Sequence, residues 1–531
     1  MSECHDEDRA RELESARMRE FEARLEQEYA GEPPVAAILR RAADGPRRRS
    51  QAVVWLTAAV VLLAFGVTLA MAFYSRGEDD QVDAPQDREA PIELRWPEGV
   101  PRVYRPEQLP EVPADVPMLS IGMPVYTAAD LSRFSALRQL DVRLTVKTLG
   151  RLMREGEPPA GTRLQALATA PQLRRVSFDF YSLVPADLEA LRHLERLQVL
   201  ELSGIVEIND ALRAAAQRGG AVECSPFDAA FGRAVAAHSR ARTLRTSGMP
   251  ITAAGIRALA DAGLHTLTLD ASGGVTAAAL EALAELRTLR RLTLRSVHGA
   301  SIDERAAGMV TRTGSRVWSR AAMQRIAELP NLESLTLDTC YLDDEVVAAL
   351  PRTLLRLDLS TCFGVDARLV DVVARMERLH TIGLPLRMAE AKDYTGSWRP
   401  WARDSDLHTR RLDGEAAAAI LRSRPWRELL LDGRIPDRVA DALRNQDALQ
   451  SLILNPTDGS ASLSFVASMP KLEQIWFVES DLLEDELKPI NACASLQRVV
   501  FEDCTHNRVI GVPVDVLREG LEVRMVTRMI N

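Results

Sequence analysis

Hydrophobic residues recur along most of this chain on one lattice. The unit is L-x-x-L-x-L, then two residues, a small or polar residue at position nine, and an amphipathic stretch. It appears at Leu173-Val176-Phe178, Leu197-Leu200-Leu202, Leu264-Leu267-Leu269 and Leu289-Leu292-Leu294, and again at Leu332-Leu335-Leu337, Leu354-Leu357-Leu359, Leu379-Ile382-Leu384 and Trp426-Leu429-Leu431. Leu449-Leu452-Leu454, Leu472-Ile475-Phe477 and Leu496-Val499-Phe501 close the series. Weaker copies start at Val116 and Leu137, and the weakest is Ala241-Leu244-Thr246. Alternation at positions four and six predicts a short strand, and the remainder predicts a return path. Several returns open on a helix N-cap residue, notably Thr252, Thr276 and Asp343.

Uninterrupted units lie 22 to 25 residues apart, and this period over residues 116–526 resembles the leucine-rich repeat family, in particular bacterial-type, membrane-anchored members. The resemblance implies an α/β solenoid with parallel strands on a concave face and helices on a convex one. About 13–14 repeats would fill residues 114–531. No single turn buries its own apolar face, so stability is approximately a sum of interfaces between neighbours. The spacing jumps between Leu137 and Leu173, and again at insertions near 300–320 and 386–412. From about 214 to 240 the pattern is poor, which either divides the array into two stacks or marks degenerate turns.

A different pattern precedes the lattice. Residues 52–74, within a segment taken as 51–74, carry no charge and are mostly Ala, Val and Leu. As a helix they would extend roughly 35 Å, enough to cross a bilayer core. A cleaved signal peptide is the rival reading, because Ala70-Met71-Ala72 resembles a cleavage site. The long preceding segment and long apolar core favour an uncleaved signal anchor. Arg40, Arg41, Arg47, Arg48 and Arg49 precede the span, whereas Glu78, Asp79, Asp80, Asp83 and Asp87 follow it. The positive-inside rule then places the N-terminus in the cytoplasm and the repeats outside, in a single-pass topology. Residues 1–50 form a charged segment whose stretch 6–29 has helix composition, either a solvated helix or a partner-docking one. Residues 75–113 read as an acidic linker, denied regular structure by seven prolines, with Leu94, Trp96, Val103 and Tyr104 able to pack on the next domain.

Composition narrows the chemistry. A formal charge of −9 argues against nucleic acid as the main partner. Six cysteines in 531 residues exclude a disulfide-stapled scaffold. H-E-x-x-H, G-x-x-x-x-G-K-[ST], G-x-S-x-G and C-x-x-C are all absent, so neither enzyme nor cofactor is expected. In the resembled family position nine is usually Asn or Cys, bonded to loop backbone inside the turn. Cys340, Cys362 and Cys504 fall there, and no histidine joins them at metal-ligand spacing. Cys340 and Cys362 would sit on adjacent turns, within reach of a disulfide in an oxidising compartment.

The sharpest binding signal is at position five, which would face the concave surface. It runs Asp141, Ser177, Glu201, Thr268, Thr293, Thr336 and Asp358, then turns apolar at Leu430, Ile453, Trp476 and Val500, with Val478 alongside at position seven. Contiguous exposed apolar area marks interaction sites, and tryptophan is a favoured anchor. The alternative is that the 386–412 insertion, with Tyr394, Trp398 and Trp401, covers this stripe as a lid or supplies the binding surface itself. The expectation is a non-enzymatic membrane protein that binds a protein or other polymer. The second reading is a receptor that relays ligand binding through residues 1–50.

Overall fold

The structure, a computed structural model, describes residues 100–526 except 104–105, 122–130, 144–163, 180–182, 206–223, 271–273, 296–317, 387–410, 434, 456–462, 481, 483, 507–508 and 511–513. The expected membrane span 51–74, the segment 1–50, and Trp398 and Trp401 lie outside the described residues. Among the described residues, no helix is long and apolar enough to cross a membrane.

One parallel sheet of 16 strands runs through the described chain, and its spatial order follows the sequence. The strands are β1 (Arg102–Val103), β2 (Met118–Ile121), β3 (Gln139–Arg143), β4 (Arg175–Asp179), β5 (Val199–Ser203), β6 (Thr243–Ser247), β7 (Thr266–Asp270) and β8 (Arg291–Arg295). They continue as β9 (Ser334–Asp338), β10 (Arg356–Asp358), β11 (Thr381–Pro385), β12 (Glu428–Asp432), β13 (Ser451–Asn455), β14 (Gln474–Val478) and β15 (Arg498–Glu502). A small antiparallel pair, β16 (Thr505–His506) and β17 (Val509–Ile510), intervenes before the last strand, β18 (Glu522–Val526). Each lattice unit in the sequence supplies one strand, including the weakest at Ala241. Leu200 pairs directly with Leu244, so the poor pattern before Arg240 does not split the sheet. The fold is a leucine-rich repeat solenoid.

Two strands lie beyond the lattice. β1 pairs with β2 inside the segment expected to be an irregular linker, followed by a 3-10 turn at Pro106–Glu111. Val103, Leu109 and Val112 are buried there, so the array begins before residue 114. Prolines are compatible with this because a 3-10 turn and a two-residue edge strand need few amide donors. At the other end β18 extends the sheet beyond the last leucine motif.

The register explains the lattice. Leu292, Leu335, Leu357, Ile382, Leu429, Leu452, Ile475 and Val499 lie in one lateral row at position four. Every member of this row is buried. Full burial of such a side chain is worth about 1.5–3 kcal/mol, and only stacking supplies it. The ladder restarts alike at each turn: the amides of Leu355 and Arg356 both donate to Glu333 O, as those of Gln497 and Arg498 do to Glu473 O.

The turn after each strand carries a second regularity. Position eight adopts a left-handed backbone at Gly204, Gly248, Thr339, Gly433, Glu479 and Asp503. Glycine meets this demand without steric cost. The other three residues carry strain held by the array, with the Glu479 and Asp503 amides donating to the next strand at Glu502 O and Val526 O.

The return side is helical in a graded way. 3-10 segments occupy the first returns, at Gln165–Thr169 and Pro185–His193. α-Helices follow from Ala229–His238 through Asp437–Leu443. The end is again mainly 3-10, at Leu463–Ser468 and Lys488–Ala492. The N-caps expected at Thr252, Thr276 and Asp343 are present, accepting from Gly255 N at 3.1 Å, Ala279 N at 3.2 Å and Val346 N at 3.0 Å.

Candidate functional site

Position nine closes each turn from inside. Cys340, Cys362 and Cys504 are buried and free. Their thiols donate to position-six carbonyls of the preceding turn: Cys340 to Leu294 O at 3.7 Å, Cys362 to Leu337 O at 2.9 Å and Cys504 to Phe477 O at 3.4 Å. Cys340 and Cys362 therefore do not form the disulfide that their adjacency would permit. Burial raises both the Cys362 and Cys504 thiols, the latter to about 12, and Cys340 beside Cys362 adds to the shift there. These are structural thiols. Among the described residues, no group of His, Cys, Asp or Glu could hold a metal ion.

Position five forms one continuous row across the open face of the sheet, and its chemistry changes along the row. In the early strands its charges are paired within the sheet. Asp141 accepts from Arg143 Nε at 2.6 Å, and one Arg175 amino group reaches both Glu201 oxygens at 2.9 Å. Arg245 adds a second partner to Glu201 at 3.4 Å. Later, Arg356 reaches across β11 to Glu428 at 3.0 Å, tying β10 to β12. Most of this polar face is buried.

Gly383 marks the change. It lies in the row between Asp358 and Leu430. A Cβ there would fall 2.0 Å from Asp358 Oδ1, because that carboxylate occupies the space. Beyond it Leu430, Ile453, Trp476 and Val500 are direct lateral partners on four consecutive strands. Leu430, Ile453 and Trp476 are half-buried. Val500 and Val478 are 4% and 9% exposed, which corrects the expectation that both belong to the open stripe. Trp476 is also anchored: its indole N–H donates to the buried Glu502 carboxylate at 3.1 Å. The site is an apolar patch of three adjacent side chains, with its largest member held in one orientation.

The insertion is rooted beside that patch. Leu386 and Leu412 form an isolated parallel bridge, and Leu386 N donates to Asp432 O at 2.8 Å. Both feet of the 387–410 segment thus meet at the end of β12, two residues from Leu430. Arg411 fixes the second foot: its side chain is fully buried, bonds Asp432 Oδ2 at 2.8 Å and lies over the Phe363 ring at 5.0 Å. Neither Gly383 nor Arg411 was singled out by the sequence pattern. A glycine at position five and an arginine beside an insertion were the available signals.

No family model matches this sequence, and no curated protein does. Solved structures do match. An internalin from Listeria monocytogenes aligns at 13% identity and TM-score 0.33, covering 76% of this chain and 97% of that one. A leucine-rich repeat protein of Leptospira interrogans aligns at 13% identity and TM-score 0.30, over 80% of this chain and 99% of that one. TLR13, solved as a TLR13–ssRNA13 complex, aligns at 13% and 0.32, over 78% of this chain and 65% of that one. The assignment of this chain to the leucine-rich repeat fold rests on its own period, register and turn geometry.

Proposed function

We propose that this protein is a non-enzymatic binding scaffold that captures a protein partner on the concave end of its array, through Leu430, Ile453 and Trp476. The observation that carries this reading is the lateral alignment of these three half-buried side chains on consecutive strands. Repeat arrays offer long surfaces of this kind, and a held tryptophan beside branched aliphatics suits an interface centre. The 387–410 insertion, with Trp398 and Trp401, is rooted next to the patch and would border the same partner. The apolar run at 51–74 and the arginines before it support a single-pass anchor with the repeats outside the cytoplasm.

The test is substitution of Leu430 and Ile453 by Asp in the full chain, followed by crosslinked partner capture. Loss of capture with an unchanged unfolding transition supports the reading. Unchanged capture would remove the patch from the interface. Protease protection on intact cells tests the topology, since the repeats should be cleaved from outside and residues 1–50 protected.

A further inference from the structure

The carbonyl that restarts each strand belongs to position two of the repeat, one residue before the strand begins. Position-two residues are thereby chained sideways. Arg174 N donates to Arg138 O, Gln198 N to Arg174 O, Arg242 N to Gln198 O, His265 N to Arg242 O and Arg290 N to His265 O. They form one lateral row along the strand-entry edge from β3 to β8, with the roughly 4.8 Å step of a sheet. Every member is basic except Gln198, in a chain whose formal charge is −9. Arg196, Arg240 and Arg287, all exposed, stand in the turns that lead into the row, with Glu195 beside the first. The row ends at Glu333, whose amide donates to Arg290 O, and beyond it acidic and basic residues mix, as at Arg427 and Glu473.

Arg242, His265 and Arg290, on three consecutive strands, are the centre of this edge. Both arginines are exposed and His265 is half-buried. Among the described residues no carboxylate pairs with any of the three. Acids near them are engaged elsewhere: Glu201 by Arg175 and Arg245, Glu285 by Arg257 and Asp338 by Arg295. Desolvation lowers the His265 imidazole below its ordinary value, and Arg242 and Arg290 on either side lower it further. The three side chains thus gather positive potential without an internal counter-charge.

The rest of the edge narrows the partner. Position one beneath the row is buried at Leu197, Ala241, Leu264 and Leu289, so the edge offers charge without apolar area or aromatic rings. A folded protein would need an apolar centre to its interface, and a single-stranded nucleic acid an aromatic platform. A bilayer would press Glu333 against anionic headgroups together with the arginines. An extended acidic peptide repeats its same-face carboxylates about every 6.6 Å, out of step with the row. A polyuronate carries one carboxylate on each pyranose ring, and each ring advances the chain by close to one strand spacing. The planar fork of arginine donates two parallel bonds to such a carboxylate.

We propose that the strand-entry edge from β3 to β8 binds an acidic polysaccharide of the polyuronate class, which runs across the strands and is held at its centre by Arg242, His265 and Arg290. Carboxylates of the polymer meet the two arginines, and His265 donates between them to a carboxylate or a ring hydroxyl. This edge is separate from the Leu430, Ile453 and Trp476 patch and does not depend on it, so the Asp substitutions at Leu430 and Ile453 should leave polysaccharide binding unchanged.

The test uses the full chain in detergent and fluorescent polygalacturonate, read by anisotropy at low salt. The wild type should bind this polymer and not its fully methyl-esterified form, which keeps the backbone and loses the charge. Arg242→Ala/Arg290→Ala should weaken binding about tenfold, the loss of two exposed ion pairs, with an unchanged thermal unfolding transition. Glu333→Arg extends the row and should tighten binding. Arg352→Ala, an exposed position on the same edge beyond Glu333, should have no effect. Absence of binding overturns the proposal, as does equal binding of the esterified polymer or a double variant that binds like wild type. An equal loss in Arg352→Ala would reduce the effect to net charge and overturn it too. Tighter binding of polyglutamate, phosphatidylglycerol vesicles or an oligonucleotide would assign the row to that anion instead and likewise overturn the proposal.

Discussion

The indole N–H of Trp476 donates to Glu502 on the neighbouring strand at 3.1 Å, and Glu502 has no exposed surface. A buried carboxylate is costly unless its oxygens are hydrogen-bonded, so the bond that orients the tryptophan also stabilises the acid. Trp476→Phe should therefore destabilise the fold by about 1–3 kcal/mol, although the ring remains apolar. Trp476→Phe/Glu502→Leu should recover part of that loss. Denaturant unfolding of the three variants checks this, and equal stability of Trp476→Phe and wild type would show that the bond does not matter.

Arg411 and Asp432 form a fully buried ion pair at the foot of the insertion. Removing one partner strands the other charge, so Arg411→Ala should cost about 3–5 kcal/mol. Replacing both with Met and Leu should cost much less. Limited proteolysis supplies an independent readout, because Arg411→Ala should make the 387–410 segment more readily cleaved while the double replacement should not.

Gly383→Ala adds one methyl group against Asp358 Oδ1, 2.0 Å from the new carbon. The carboxylate also accepts from Ser360 N at 3.0 Å and cannot move without losing that bond. Overpacking of this kind costs about 1–3 kcal/mol. Gly383→Ala/Asp358→Ser should be closer to wild type than Gly383→Ala alone, measured by thermal unfolding.

The buried thiols should be silent in the native protein. Cys504 is raised to about 12 by burial, and Cys362 is raised in the same direction. Thiolate is the reactive form, so iodoacetamide at pH 8 should label these residues only after denaturation, as mass spectrometry would read. The linkage has a definite sign. The unfolded thiols ionise near 8.5, whereas the folded ones stay protonated, so stability should be full below that pH. It should fall as the pH rises above it, until Cys504 itself titrates near 12. A stability curve flat from pH 8 to 10 would contradict this.

The array was legible in the sequence because its inward rows obey one spacing. The leucine lattice locates β2 through β15, and N-cap chemistry locates the helices after Thr252, Thr276 and Asp343. β1 and β18 escaped because neither carries the leucine motif, and β1 is only two residues long. β18 reads Glu-Val-Arg-Met-Val and keeps only the alternation. The order of position-five residues revealed where the open face turns apolar. Their exposure could not be read that way: Val500 and Val478 are buried and Trp476 is tied to Glu502, because position assigns a face but neighbours decide coverage. The left-handed position eight is visible at Gly204, Gly248 and Gly433 but hidden where Thr339, Glu479 and Asp503 take its place. Arg411 acquires its role only when the two feet of the insertion meet.

Photocrosslinking from a single position tests the binding account most directly. A benzophenone amino acid at Ile453, in the middle of the apolar patch, is compared with one at Arg245, in the same lateral row on the polar half. The full chain is used, expressed in cells. The account predicts a discrete protein adduct from Ile453 and little or none from Arg245. Equal adducts from both positions, or an adduct from Arg245 alone, would contradict it.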